Sequence, residues 1–341
     1  MQLNPDELIR ISNLKVTFPL DEGTVQALDG IDLSIKKGKV IGVVGESGCG
    51  KSITARSIIR IIPTPGKIDK GQILLRTKVG SPNGEEHIID IAQLDEDSEI
   101  MRQIRWGEVA MIFQEPMTSF SSYHTLGNQI GEAAIIHRHV TKEEANKLAI
   151  QMLERVGIPN APTRVNQYPH EFSGGMRQRA MIAMALICNP ALLIADEPTT
   201  SLDVTIQAQM LELMRDLRED FGSSIMFITH NLGVIAQIAD EVYIMYLGKI
   251  VEHGLVNDIF HDPKHPYTVD LLNAIPKITG EVEERLVAIE GSIPSPFERV
   301  SGCPFHPRCS QIIRGVCENQ VPQMTDFGND HTTFCHLYNQ A

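Results

Sequence analysis

No stretch of this chain reaches the roughly 18 consecutive apolar residues of a membrane-spanning helix. Its first residues, MQLNPDELIR, lack the basic region and apolar run of a secretory signal. The cytoplasm is therefore the expected compartment, where disulfides are rare and clustered cysteines point to metal or redox chemistry. A basic excess is missing too. Thirty Lys and Arg face 43 Asp and Glu, and the formal net charge of −13 argues against nucleic acid as a partner. Internal repeats, low-complexity tracts and heptad runs are absent. What remains is a composition of 42% hydrophobic and 21% charged residues, that of a soluble globular protein, in 341 residues that suffice for two or three structural units.

Hydrophobic patterning divides the chain. Ile9 to Ile35 reads as short strands broken by PLDEG and DG turns. KKGKVIGVVGESGCGKSITARSIIRII reads as a buried strand, a glycine loop and a helix. Gly71 to Asp90 reads as strands around the turn SPNG, and helical patterns dominate from Glu115 to about Arg179. Within that stretch Thr141 is the expected N-cap of one helix and Gly157 its stop. ALLIADEP, a helix from about Thr205 to Asp220, SSIMFITH and a hairpin turning at Gly248 follow. Strands alternating with helices predict a largely parallel sheet covered by helices. From Leu255 the composition shifts to Pro, His and Cys, which marks a boundary between residues 1–254 and 255–341.

GESGCGKS matches the phosphate-loop pattern between a predicted strand and a predicted helix, the context that the pattern requires. Gly45, Glu46, Ser47, Gly48, Cys49, Gly50, Lys51, Ser52 and the following Ile53 form the candidate phosphate cradle. Glycines let backbone N–H groups turn inward at a helix N-terminus. Lys51 reaches the β and γ phosphates, and Ser52 can ligate Mg²⁺. ALLIADEP is an apolar strand that ends in two acids, at the strand edge where ligands sit in open α/β sheets. Asp196 is placed to hold Mg²⁺ and Glu197 to polarise the attacking water. Alone, the pair would read equally as a solvated strand end; the upstream loop argues against that. His230 ends the next strand and can contact the γ-phosphate, although by itself it is an ordinary strand-end histidine.

FSGGMRQ, Phe172 to Gln178, lies just before Asp196. Together with the phosphate loop it resembles the signature of ATP-binding-cassette ATPases. Gln114 in MIFQEP looks like that family's Q-loop, SLD from Ser201 to Asp203 like its D-loop, and His230 like its switch histidine. The match runs over about residues 8 to 253. It implies an α/β phosphate-loop ATPase with a RecA-like parallel sheet core, an antiparallel β subdomain and an α-helical subdomain at about 115–179, followed by a small cysteine-containing C-terminal extension. It also implies ATP as ligand, with Phe18 stacking on adenine and Gln114 joining Ser52 and Asp196 at Mg²⁺. Lys51, Gln114, Glu197 and His230 would be the catalytic set. Ser173, Gly174, Gly175, Gln178 and Asp203 would reach the nucleotide. SGG ahead of a helix makes a second anion-binding helix end, which in this family closes over the ATP of another cassette. One cassette therefore implies a second ATPase subunit.

HEFSGGMRQRAMIAMALICNPALLIADEPTTSLDVTIQAQ, HPYTVDLLNAIP and the tail GCPFHPRC are similar to ATPase subunits of oligopeptide and dipeptide importers. This resemblance implies a heterodimer with a sister ATPase, two transmembrane permease subunits, an extracytoplasmic substrate-binding protein, and a peripheral place on the cytoplasmic face of the membrane. Oligosaccharides or nickel chelates are alternative cargoes for the same machinery, and a soluble non-transport cassette ATPase is the reading from another class. SFSSYH after the Q-loop departs from the commoner SLNP and bears on partner or cargo. Cys303, Cys309, Cys317 and Cys335 stand at intervals of five, seven and seventeen residues without a C-x₂-C pair. Chemistry alone leaves a [4Fe–4S] cluster, structural Zn²⁺ and unconnected core cysteines open. The resemblance favours the cluster, with Cys49 and Cys188 outside it and His306, His331 and His336 at its surroundings or on the surface.

Overall fold

The structure, a computed structural model, describes residues 2–81, 83–114, 120–200, 203–275 and 289–339. β1 (Glu7–Leu20) and β2 (Gly23–Lys36) pair antiparallel as two long strands. The PLDEG segment turns the chain as expected, at Asp21 and Glu22. DG does not. Gly30, at φ 77°, is skipped between the pairs Leu14–Ile31 and Lys15–Asp29, so the glycine makes a bulge inside β2 instead of a turn. β3 (Val40–Val44), α1 (Lys51–Ile58), β4 (Lys67–Thr77), β5 (His87–Asp90), α2 (Glu99–Gly107) and β6 (Val109–Ile112) follow. β2, β1, β4 and β5 form one antiparallel sheet in that order.

The helical stretch comprises α3 (Leu126–Arg138), α4 (Lys142–Arg155), the short α5 (Ala161–Arg164) and α6 (Gly174–Leu186). Thr141 caps α4 in a reciprocal pair with Glu144, and Gly157 leaves it at φ 75°. The chain continues through β7 (Leu192–Asp196), α7 (Val204–Phe221), β8 (Ser224–Thr229), α8 (Leu232–Ile238), β9 (Glu241–Tyr246) and β10 (Lys249–Leu255). Leu247 and Gly248, both at positive φ, make the two-residue turn between β9 and β10. Last come α9 (Val256–His261), α10 (Pro266–Asn273), β11 (Met324–Asp326) and β12 (Thr332–Phe334).

A second sheet has eight strands in the order β11-β12-β10-β9-β3-β8-β7-β6. β9, β3, β8, β7 and β6 are parallel, and β10, β12 and β11 extend the sheet antiparallel. Unbroken apolar runs are what a strand covered on both faces requires. Along β7, Leu192 and Ile194 enter the core shared with the four-stranded sheet, while Leu193 and Ala195 enter the core shared with the helices. β3 and β8 alternate in the same way. The residues beyond β10 fold back onto it: Glu252 pairs with Thr333, and Phe305, Cys303 and Cys317 pack into the helix-side core. Glu252 is fully buried and accepts the N–H groups of Lys264 and His265 at 2.6 and 2.9 Å, with His331 Nε2 at 2.9 Å.

Candidate active site

β3 delivers the chain to the phosphate loop with no room to spare. A Cβ on Gly45 would collide with the Met245 carbonyl oxygen and the Cys49 sulfur, so only glycine fits between β3 and β9. Gly48 and Gly50 hold φ of 79° and 107°, conformations that L side chains rarely adopt. Gly50 is the N-cap of α1 and supplies no side-chain cap, which leaves the first-turn N–H groups open to an anion. The Lys51 ammonium is buried and donates to the carbonyls of Gly45 and Glu46 at 2.8 and 3.0 Å. Cys49 is buried, its thiol pushed up by burial, and Ile53 is half-buried on α1. A cavity of about 670 Å³ opens beside Ser47 and Gly48, with Val25 and Ala27 of β2 in its wall. Phe18 is half-buried at the end of β1, its ring against Gly66.

Across the loop, Ser52 Oγ donates to Asp196 Oδ1 at 3.0 Å. Burial pushes the Asp196 carboxyl up, and the Ser52 hydroxyl opposes that rise. Two neighbouring hard oxygen donors fit Mg²⁺. Glu197, the next residue, adopts φ 48°, an uncommon conformation for a non-glycine residue. Its carboxylate receives Gln114 Nε2 at 3.0 Å and Thr200 Oγ1 at 3.1 Å, and faces His230 Nδ1 at 3.2 Å. Because a carboxylate only accepts, His230 Nδ1 carries the proton in that contact. Burial would raise the Glu197 carboxyl. The hydrogen bond and charge of His230, the Thr200 hydroxyl and Lys51 outweigh burial and hold it below the usual carboxylate range. The fold thus gathers Lys51, Ser52, Gln114, Asp196, Glu197 and His230, drawn from four parts of the sequence.

The signature residues stand apart from this group. Ser173 caps α6 by accepting the Met176 N–H, and Ser173 and Gly174 are exposed with Gly175 half-buried beside them. Gln178 departs from expectation. It is 1% exposed on the core face of α6, where a bound nucleotide cannot reach it. Asp203 is exposed and its carboxylate caps α7 through the Ile206 N–H at 2.9 Å. Ser201 and Leu202 of the D-loop segment, and Glu115 to Ser119 after Gln114, lie outside the described residues.

The tail cysteines share one neighbourhood. All are free thiols; Cys303, Cys317 and Cys335 are buried and Cys309 is half-buried. Burial pushes Cys303 up to about 12 and Cys335 up to about 11, and the other tail cysteines add to both rises. Among the described residues, no group of three or more His, Cys, Asp or Glu stands at metal-binding spacing. The nearby histidines are engaged elsewhere: His306 Nδ1 with the Cys303 carbonyl at 2.9 Å, His331 with Glu252, and His336 Nε2 with the Gln320 carbonyl at 2.8 Å.

Comparison with known proteins fits this geometry. The ABC transporter family profile matches residues 28–200, and the profile of the oligopeptide/dipeptide transporter C-terminal region matches residues 251–317. The oligopeptide transport ATP-binding protein AppD of Bacillus subtilis is 46% identical, over 98% of this chain and 97% of that protein. The dipeptide transport ATP-binding protein DppD of the same organism is 44% identical, over 98% and 96%. The chain belongs to the ABC transporter family. A dimeric ATP-binding cassette solved in a post-hydrolysis state with ADP and Pi shares the fold of this ABC protein, with a TM-score of 0.62 and 24% identity over 73% of this chain and 99% of that one.

Three contacts of this ABC protein have no motif behind them. Thr200 reaches Glu197 because the turn after β7 brings the chain back within three residues. Arg308 and Tyr267, from the C-terminal region, both bind Glu46 of the phosphate loop. A hydroxyl three residues after Glu197 was a readable hint of the first, whereas the other two join residues more than 200 positions apart.

Proposed function

We propose that this chain is the ATP-hydrolysing subunit of an importer of oligopeptides or dipeptides, and that it works at a composite site completed by a second cassette. One observation carries the catalytic part: Glu197 is fixed by Gln114, Thr200 and His230 directly beside the Ser52–Asp196 pair. Ser52 and Asp196 would hold Mg²⁺, which neutralises charge on the phosphates during transfer. Glu197 accepts the proton of the attacking water, and its low-lying carboxyl keeps it ionised for that role. His230 and Gln114 hold the carboxylate in place, and Lys51 turns from the loop carbonyls to the phosphate oxygens. Exposed Ser173 and Gly174 at the head of α6 close over the nucleotide of the partner cassette. The peptide assignment rests on the C-terminal profile and on relatives named as oligopeptide and dipeptide transport proteins.

Among the described residues, no helix is long and apolar enough to cross a membrane. In this reading the chain works beneath two permease subunits, with a sister ATPase as partner and a binding protein that selects cargo outside. The chain would sit at the cytoplasmic face, and Gln114 with the surrounding helical subdomain would pass nucleotide-driven closure to the permeases as a rigid-body movement. The test is ATP turnover by the isolated chain and by the assembled complex. Turnover that rises steeply on assembly supports the composite site; a chain shown to be monomeric by light scattering that already turns over at the full rate refutes it.

A second reading concerns the tail. Cys303, Cys309, Cys317 and Cys335 are the donor set for a [4Fe–4S] cluster, with Zn²⁺ as the alternative. The burial of these thiols and the influence of Cys309, Cys317 and Cys335 on Cys303 are what support this reading. Four thiolates leave no open iron position, so the cluster would supply structure or redox poise, not catalysis. Anaerobic purification with iron and sulfide analysis decides: iron and sulfide with a visible absorption band support the cluster, and colourless protein with stoichiometric zinc refutes it.

A further inference from the structure

The C-terminal region grips the phosphate loop at one residue. Arg308 extends from the turn between Cys303 and Cys309 and forms a two-pronged ion pair with Glu46, Nη1 to Oε2 at 2.7 Å and Nη2 to Oε1 at 3.2 Å. The Arg308 side chain is 4% exposed. Its guanidinium is fixed further by the Glu290 carbonyl at 3.1 Å and by the Tyr246 ring at 6.0 Å. Tyr267 of α10, fully buried, accepts the Glu46 N–H through its hydroxyl at 3.0 Å. The Tyr267 ring packs against Tyr246 and Phe305 at 4.7 and 5.3 Å between centroids. The remaining polar group of Glu46, its carbonyl, accepts the Lys51 ammonium at 3.0 Å. Every polar group of this loop residue is thus held, two of the three by the C-terminal region. The same region also supplies Pro296, Glu298 and Arg299 to the wall of the cavity that Ser47 and Gly48 line.

We propose that Arg308 and Tyr267 are positioning residues for ATP binding, which hold Glu46 so that the phosphate loop is ordered before the nucleotide arrives. Preorganisation lowers the cost of binding without changing the chemical step. Arg308 directly precedes Cys309 in a tight turn, with the Arg308 N–H on the Phe305 carbonyl at 3.0 Å. The cysteine region therefore reaches the phosphate loop directly through Arg308, and through Phe305 packed on the Tyr267 ring. This inference deepens the reading of the nucleotide site and is independent of the cargo and of the metal.

The test is Mg-ATP affinity of the full chain by calorimetry, with KM and kcat in the assembled complex, for Arg308→Gln, Arg308→Lys and Tyr267→Phe. Loss of a charge-assisted pair of this kind corresponds to about a tenfold loss of affinity. Arg308→Gln is expected to raise Kd and KM by about tenfold, with kcat within about twofold of the wild type. Arg308→Lys, which keeps the charge but not the fork, falls between them. Tyr267→Phe keeps the ring and removes only the acceptor, so it raises Kd even if Arg308→Gln does not fold. Affinities within about twofold of the wild type for Arg308→Gln and Tyr267→Phe, even with lowered melting temperatures, overturn the proposal: the contacts would then only dock the tail. A wild-type chain that fails to bind Mg-ATP overturns the nucleotide-site reading and this inference with it.

Discussion

In the proposed mechanism Glu197 concentrates the chemistry of the molecule in one side chain. Its φ of 48° costs on the order of 1–3 kcal/mol, and the three groups around its carboxylate hold it in that conformation. Glu197→Gln is expected to lower turnover in the assembled complex by about 10²–10⁴-fold, because an amide keeps the shape but accepts no proton. Mg-ATP binding should persist, since Lys51 and the loop are untouched. A variant that keeps more than about a tenth of the wild-type rate would remove Glu197 as the general base. The place of the acid pair beside the phosphate loop was legible because DE ends an apolar strand downstream of that loop. Gln178 was misread for a related reason: it belongs to the signature by sequence, but helical periodicity turns it to the core face of α6. Thr200 belongs to no motif; its hydroxyl three residues after Glu197 is a hint in the sequence, and the turn after β7 is what brings it onto the carboxylate.

Elements were legible where local chemistry decides them. β3 and the loop after it, the Thr141 cap of α4, the Gly157 stop and the Leu247–Gly248 hairpin all follow from burial, caps and positive φ. The bulge at Gly30 did not, because DG signals a turn locally and only pairing with β1 absorbs it. β11 and β12 have three residues each, too few to show a period. The phosphate loop illustrates how tightly an element can be specified. Gly45→Ala adds one methyl group against the Met245 carbonyl and the Cys49 sulfur. The loop must shift to accommodate it, so the variant is expected to weaken Mg-ATP binding by at least about tenfold, a loss of some 1.4 kcal/mol. Titration calorimetry checks this, and wild-type affinity would show that the loop tolerates displacement.

At the scale of the whole molecule, one charge cluster joins the two sheets and the tail. Lys36 at the end of β2 meets Glu241 of β9 at 2.8 Å and Asp330 of the tail at 3.1 Å, while His253 Nε2 of β10 lies 3.2 Å from Glu241. The hydrogen bond from His253, followed by that from Lys36, overcomes burial and holds the Glu241 carboxyl down at about 2, from an ordinary 4.5. A depressed folded-state value stabilises the fold above the unfolded value, and the contribution disappears as pH falls from about 4.5 to about 2. It amounts to no more than roughly 3 kcal/mol at neutral pH. Glu241→Gln should therefore melt below the wild type at pH 7, and the gap should close as pH falls through that window. A gap independent of pH would show that the cluster contributes shape and not charge. None of these long-range links was readable in advance, since Lys36 and Asp330 belong to no motif and meet only once the tail has folded back on β10. The central claim is that ATP hydrolysis by this chain drives peptide import. Its most direct measurement is the accumulation of a labelled oligopeptide in proteoliposomes that hold the chain with its sister ATPase, permeases and binding protein. The account predicts ATP-dependent accumulation with the wild-type chain and its loss with Glu197→Gln; accumulation at the wild-type rate with Glu197→Gln, or ATP turnover without any peptide accumulation, would contradict it.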